Sequence, residues 1–528
     1  MATVTDASNV HGLRCSPHST PPSGPRAFAA SSTAVHPCAG SVRPPRARNT
    51  DCASRAGAPR DLAEPAHRAT HQPTLVLKQG LIGAHTPARA STQHQAGKVH
   101  AGRPDPPRHQ SRPWADDGAV VSASPSATLL GVDEARSVLL AHLRATGAET
   151  VPLAAALGRV LAADVRAGTD LPGLDNSAMD GYALLAADVA DASPSAPVLL
   201  PLGGESSAGR PASDHRPGTA TVIATGAPIP PGADSVIPVE LTRRIGQSVE
   251  FLAEPLLGKH IRRRGEDGPA GSVLLSEGHR LRSVDIGVCA AAGMAHVSVG
   301  RRPRVALLSN GDELVSPGVV PEPYQVTDIN SPMLAAAVLE AGGIPVVIGC
   351  VGDQRPAVER ALETAAATAD LIVSAAGVSM SRHDHVRDAV AALGAVHVRT
   401  VAMRPGKPLL IGRVASTPVL GLPGNPVSSA IAFLLFARAA IMHMQGARRV
   451  LPLAFAVVLG ERFEKPAHLE TYARVRLDFG EQSTIAWSSG GQGSAAMHGL
   501  GAADALAVLP AGLSVFPAGT TVLALLLP

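Results

Sequence analysis

Carboxylates, cations and small residues gather in four short stretches of the C-terminal half of the chain. SNGDEL places Asp312 and Glu313 just after an apolar run, and ADLIVSAAGVSMSRHDHV brackets another with Asp370 and Asp384. RPGKP sets Arg404 and Lys407 around a turn, and LPGNPVSSA puts Asn425 and Pro426 ahead of Ser428 and Ser429. These residue types suit a phosphate-bearing ligand held with a divalent cation. Mg2+ takes one or two carboxylates and completes its shell with phosphate oxygens, so Glu313 and Asp384 are candidate metal ligands. Lys407 suits an oxyanion as a point charge and Arg404 as a fork. Gly377 lets a ligand approach the backbone, with the Ser379 hydroxyl beside it. Each stretch also has a plainer reading. Acidic residues at a strand end are solvated or cap the next helix, and Asp384 in a first helical turn interacts with the macrodipole. Two cations on a turn are surface basicity, and Asn425–Pro426 is a well-formed helix start. His383 and His385 stand two apart, point to different sides of a helix and make a poor metal pair.

A second concentration lies earlier. DNSAMDGYA, from Asp175 to Ala183, packs two carboxylates, an amide, a hydroxyl and a Tyr into one turn, with ATGAP and RRRGED in the same region. Asx-type turns in a solvated loop are the alternative there. No GxxxxGK[ST] phosphate loop and no GxGxxG after a strand occurs, which argues against a Walker-type ATPase and a Rossmann dehydrogenase.

The elements that must position these groups follow from apolar periodicity. From Arg304 to Gly446 the chain alternates strands and helices: RVALLSN, then NSPMLAAAVLEAGG with an Asn cap, IPVVIGCV, RPAVERALETAAATA, DLIVSAA, RHDHVRDAVAALG, VHVRTVAM, PLLIGRV, TPVLGLP and a long helix from Pro426. Apolar strands alternating with helices predict a doubly wound parallel sheet, whose ligands bind at the carboxyl ends of the strands. GDEL, AAGVSMS, RPGKP and LPGNP all fall at such ends. The predicted fold is therefore α/β and multidomain. Residues 127–300 form an N-terminal α+β module, with a first helix at GVDEARSVLLAHL capped by Asp133 and a β-rich insertion over about 178–262. Residues 301–448 form the α/β domain, and 449–528 a small all-β domain.

Composition sets the outer bounds. The 528 residues are too many for one core, and aromatics at 2% leave cores to Ala, Val and Leu. Residues 1–126 are rich in Pro, Arg, His and Ser, lack apolar periodicity and read as a disordered tail, with a transit peptide, a regulatory arm or an upstream mis-assigned start as alternatives. The rest of the chain is mildly acidic, which does not fit nucleic-acid binding. Five cysteines with no CxxC pair indicate neither a zinc site nor a disulfide framework. The most apolar helix is interrupted by Arg438 and His443, so the expectation is a soluble, cytoplasmic protein with no membrane partner.

Taken in order, DNSAMDGYA, ATGAPIPPGADSVIPVE, RRRGED, GDEL, GVSMSRHDHV, RPGKP and GLPGNPVS resemble the motifs of the molybdopterin molybdenumtransferases. The C-terminal domain of gephyrin looks like the same family. The resemblance covers residues 129–528. It implies an enzyme that takes adenylylated molybdopterin and molybdate, cleaves the adenylyl group with Mg2+ and inserts molybdenum. It further implies an α/β domain like that of the molybdopterin adenylyltransferases and an elongated homodimer. In that dimer the site lies between the α/β domain of one chain and the N-terminal module of the other.

Carried over by motif, Asp384 matches the family's catalytic aspartate, Glu313 the acid of GDEL and Asp370 the acid before the strand. Lys407 and Arg404 match the basic pair. Asp180, Thr225 and Asp267 match residues of the N-terminal module, and Arg474 and Ser494 match molybdate-contacting positions. Gly377, Ser379, Asn425 and Ser428 complete the implied set. Where the family has GGVSVG this chain has AGVSMS, so Ala376 and Ser381 replace glycines. Two alternatives remain: a molybdopterin adenylyltransferase, which is also a possible partner, and a catalytically weakened binding or scaffold homologue.

Overall fold

The computed structural model describes residues 129–378 and 385–528. The predicted tail, Ser379, Ser381, His383 and Asp384 lie outside the described residues.

The first helix, α1 (Val132–Ala141), buries Val132, Ala135 and Leu139 on one face. Asp133 does not cap it. The N-cap is Gly131, whose N–H is taken by the Glu134 carboxylate at 2.9 Å. The N-terminal module pairs Ala148–Pro152 antiparallel with His296–Gly300 over a core that includes Leu161, Leu281 and Val297. Its insertion is a six-stranded sheet running from Gly181–Leu184 to Ser248–Phe251, with Tyr182 and Phe251 meeting edge-to-face in its core.

The α/β domain contains β1 (Arg304–Asn310), α2 (Asn330–Glu340), β2 (Ile344–Val351), α3 (Arg355–Thr368), β3 (Leu371–Ala375), α4 (His385–Leu393), β4 (Gly394–Thr400), β5 (Pro408–Val414), β6 (Thr417–Leu422) and α5 (Pro426–Met444). The sheet order is β2-β1-β3-β6-β5-β4. Strands β2, β1, β3 and β6 are parallel, as their uninterrupted apolar runs predict; all five residues of β3 are buried. The other two pairings are antiparallel, so the sheet is mixed. The reason is local. Only Ala415 and Ser416 separate β5 from β6, too few for a crossover, and Ala415 takes a left-handed φ of 49° to make the hairpin.

Helix α5 is apolar on all sides because it is core: 83% of its most apolar window is buried within the protein. It is π-helical over Phe433–Ala437. Beyond it, Glu470–Phe479 pairs on one side with Thr484–Ser488 and on the other with Ala505–Leu509, closing a five-stranded barrel with Ala454–Leu459 and Thr521–Leu526. Met403–Arg404 adds in parallel to the start of Glu470–Phe479. That short ladder ties the RPGKP turn of the α/β domain to the barrel.

Candidate active site

A cleft of about 970 Å³ opens at the carboxyl ends of β1, β3 and β6. Its lining includes Glu313, the backbone from Ala375 to Val378, Arg404 to Pro408, Asn425, Ser428 and Ser494. Three of the four chemistry-bearing stretches thus converge there with the described half of the fourth, and the barrel contributes one wall.

Each wall has a local cause. Gly377 has a φ of 75°, and an added Cβ would lie 2.3 Å from Cγ2 of Val386, so no side chain fits and the backbone faces the cleft bare. Ala376 takes the same φ of 75° despite its Cβ. Gly311 makes room for the Glu313 carboxylate, whose oxygen lies 2.5 Å from where a Gly311 Cβ would be. Glu313 is then held by its own carbonyl, which accepts from the Val326 N–H at 2.9 Å.

Arg404 and Lys407 are both exposed, and neither has an ion pair among the described residues. Two unpaired cations over a cleft favour an anionic ligand. The start of α5 is less open to anions than its sequence suggests. Pro426 has no N–H, and the Val427 N–H donates to the Ser494 carbonyl at 3.1 Å. Asn425 is the N-cap residue, but its side chain makes no cap bond; its amide donates instead to the Ser494 hydroxyl at 3.0 Å. Ser428 is buried at the cleft floor.

Arg474 lies beneath the barrel wall rather than in the lining. It is fully buried, and its Nη2 donates to the carbonyls of Gly491 and Gly493 at 2.5 and 3.2 Å. Its Nε and Nη1 have no partner, and burial without a counter-ion pulls its pKa down. The Gln492 side chain brackets its backbone, accepting from the Arg474 N–H and donating to the Arg474 carbonyl. The guanidinium therefore orders the segment that presents Gln492, Gly493 and Ser494 to the cleft.

Four of the sequence-predicted residues lie elsewhere. Asp370 precedes β3, at the amino edge of the sheet, where it accepts from the Arg304 N–H at 2.8 Å and pairs with Arg301 at 3.3 Å. At about 3.3 Å per residue, a five-residue strand puts it roughly 16 Å from the cleft end. It holds the strand entry and is not part of the cleft. Asp180 and Thr225 form a unit in the N-terminal module: the Asp180 carboxylate accepts from the Thr225 N–H at 2.7 Å and from its hydroxyl at 3.0 Å, which lowers the Asp180 pKa. Asp267 pairs with Arg262 at 2.5 Å, and Arg263 and Arg264 bind Asp175 and Asp170 nearby. None of these lines the cleft of its own chain.

Asp328 and Asp353 lie outside the motifs that the sequence singles out, and Asn330, expected to cap α2, is its first helical residue instead. Asp328 is buried, lines the cleft and accepts from the Ser331 N–H at 3.0 Å, so it caps α2, while Asn330 ties the helix to the Gly424 carbonyl at 2.8 Å. Asp353, after β2, exchanges bonds with Asp312 and fixes the GDEL turn. The available signal was an Asp three residues before a Ser at a helix start.

Comparison with known proteins places this geometry. Residues 130–293 match a model described as the MoeA N-terminal region (domain I and II). Residues 306–443 match a probable molybdopterin binding domain, and 456–527 the MoeA C-terminal region (domain IV). Molybdopterin molybdenumtransferase 2 of Mycobacterium tuberculosis is 38% identical over 398 residues, covering 74% of this chain and 97% of that protein. The chain belongs to the molybdopterin molybdenumtransferase family. The Nostoc member is also 38% identical, over 72% of this chain and 89% of its own length. A solved MoeA protein from Pyrococcus horikoshii is 28% identical and covers 76% of this chain and all of its own, with a TM-score of 0.65. The chain is thus a transferase of molybdenum cofactor biosynthesis, with the family's multidomain α/β fold. The stretch before residue 130 is outside the family match.

Proposed function

We propose that this chain inserts molybdenum from molybdate into adenylylated molybdopterin with release of AMP. The observation that carries the reading is the cleft itself: two cations without ion pairs among the described residues, Arg404 and Lys407, line the same cleft as the bare backbone at Gly377, in a space large enough for a nucleotide-sized anion. Lys407 and Arg404 offset charge on the phosphates as the pyrophosphate bond breaks. The Gly377 backbone orients the phosphates. Ser494, Asn425 and Ser428, with Arg474 buried beneath, form the end that suits a tetrahedral dianion such as molybdate.

Glu313, a carboxylate in the lining of the cleft, supports a Mg2+ site there. The Glu313 carboxylate has no hydrogen-bonded partner among the described residues, and a cation that takes few protein carboxylates needs only it, Asp384 and substrate phosphate oxygens. Bound there, Mg2+ would neutralise charge on the pyrophosphate oxygens. Asp384 is assigned by its motif.

The reading extends to a homodimer. Asp180, Thr225 and Asp267 are ordered by their own partners yet do not line the active-site cleft of their own chain, which supports their serving the cleft of a second copy. A mixing assay of AMP release from adenylylated molybdopterin with molybdate tests both claims. Lys407→Ala and Asp180→Ala proteins are each expected to lose activity by about 10²-fold or more. Unfolded and refolded together, they should recover about a quarter of wild-type activity, because half the dimers then hold one intact site of two. Full activity in Lys407→Ala refutes the assigned site, and no recovery on mixing refutes the shared one.

A further inference from the structure

A second cavity, of about 270 Å³, lies between α2, α5 and the barrel. Its body is apolar: Met333 and Leu334 come from α2, Phe433 and Leu434 from α5, and Leu506 and Leu527 from the barrel. The α5 wall is its π-helical turn, Phe433–Ala437. Such turns are rare and are found frequently at functional sites.

The cavity is apolar in body but not in charge. Arg438, the residue that follows the π turn, and Arg280 of the N-terminal module both line it, together with the Glu340 side chain and Pro528. Among the described residues the hydrogen-bond partners of both guanidiniums are carbonyl oxygens. Arg438 donates to Val450 at 2.5 Å, and Arg280 to Gly158 at 3.2 Å and to Glu340 at 2.7 Å. Burial and the charge of Arg280 both draw the Arg438 pKa down, against the pull of Glu340. Arg438 is therefore half-buried with no ion pair among the described residues and with the exposed Arg280 as a second cation beside it, an arrangement that an anion would relieve.

We propose that this cavity is a binding site for a small amphipathic carboxylate. The apolar chain or ring lies against Leu334, Leu434 and Leu506, and the carboxylate sits at Arg438 with Arg280 beside it. A carboxylate accepts from two guanidinium N–H groups at once, which is the geometry Arg favours. A neutral molecule of the same shape gains the apolar contacts alone. The volume suits a ligand of roughly ten heavy atoms, at the small end of ligand pockets. None of these residues belongs to the active-site cleft, so the site stands or falls apart from the proposed function.

Isothermal titration of the full chain with octanoate, and separately with octanol as an uncharged match, tests the assignment. Octanoate is expected to bind saturably, one per chain, at least tenfold more tightly than octanol. Arg438→Met should weaken octanoate at least tenfold and leave octanol unchanged. Arg280→Met, at an exposed position, gives the same direction should Arg438→Met fail to fold. Ala337→Phe, which fills the cavity, should abolish both, and Lys407→Ala in the cleft should alter neither. Equal binding of the two probes overturns the proposal, as does octanoate binding that survives both arginine substitutions. The absence of saturable octanoate binding to the wild-type chain overturns it as well, and points to a second copy covering the cavity.

Discussion

Ala376 lines the cleft with a left-handed backbone despite its Cβ, and its energetics can be separated by a four-protein cycle. Its φ of 75° is left-handed, which for an L-residue costs roughly 1–2 kcal/mol because Cβ crowds the carbonyl oxygen. Ala376→Gly removes that strain but adds freedom to the unfolded chain worth about 0.5–1 kcal/mol, so the net expectation is a gain of about 0.5–1 kcal/mol. The opposite wall supplies the second perturbation. A Cβ on Gly424 would lie 3.1 Å from the Ala376 Cβ and 3.6 Å from its Cα. Carbon pairs prefer about 3.5–4.0 Å, so only the first contact is repulsive. Gly424→Ala alone should destabilise by about 1 kcal/mol, the overpacking outweighing the usual gain from a stiffer unfolded chain. In the Ala376→Gly background the clash is gone, and the same substitution should stabilise by about 0.5 kcal/mol. The predicted coupling is therefore about 1.5 kcal/mol, well above the roughly 0.3–0.5 kcal/mol within which independent sites add. Equilibrium urea unfolding of the four proteins, extrapolated linearly, reads it directly. Additive effects, or a destabilising Ala376→Gly, would refute the account of this wall as strained backbone plus a close Cβ contact.

Other perturbations probe other parts of the molecule. Asp285 is buried, and the side-chain bonds from Arg282, then that from His279, hold its carboxyl far below the usual carboxylate range. A depressed carboxylate contributes stability above its unfolded pKa near 3.9 and loses it as pH falls through the folded value, so Asp285→Asn should cost about 2 kcal/mol at pH 7 and flatten the acid limb of unfolding. Burial first, and then the neighbouring Asp328, push the Cys350 thiol up to about 11. At pH 8 its alkylation, read by peptide mass spectrometry, should run about two orders of magnitude slower than that of an unperturbed cysteine, and Asp328→Asn should speed it. Arg474→Met is expected to stay within about 1 kcal/mol of wild-type stability, because it removes a buried charge that has no counter-ion. Molybdate-dependent AMP release should nevertheless fall, and retained activity would remove Arg474 from the site.

Much of the α/β domain is legible because its signals are strong and local. LIVSA and VALLSN are buried on both faces, and such runs read only as central parallel strands. The turns that follow them are then placed at the cleft by strand direction alone. The same rule excludes Asp370: a residue before a parallel strand belongs to the amino edge, whatever its charge. The caps are less legible, because an N-cap is fixed by which side chain reaches a free N–H. Asp328 reaches Ser331 where Asn330 invited the assignment, and Glu134 serves Gly131 where Asp133 did. The reversal of β5 rests on a two-residue connection whose alanine adopts a left-handed φ, which composition does not advertise.

The cleft is also a joint, which no single stretch of sequence shows. Its basic turn pairs through Met403–Arg404 with the first strand of the barrel, and its helix start exchanges bonds with Ser494 of the barrel at both side chain and backbone. The barrel in turn holds Ser494 through Arg474, whose guanidinium is spent on glycine carbonyls rather than on a carboxylate. A charge buried without an ion pair is a poor way to stabilise a barrel, since an apolar residue of similar size would fill the space at no electrostatic cost. It is a good way to keep positive potential close behind a cleft wall made of Gly, Ser and Gln. The position of Arg474 is thus better explained by what the cleft must attract than by what the barrel needs to fold.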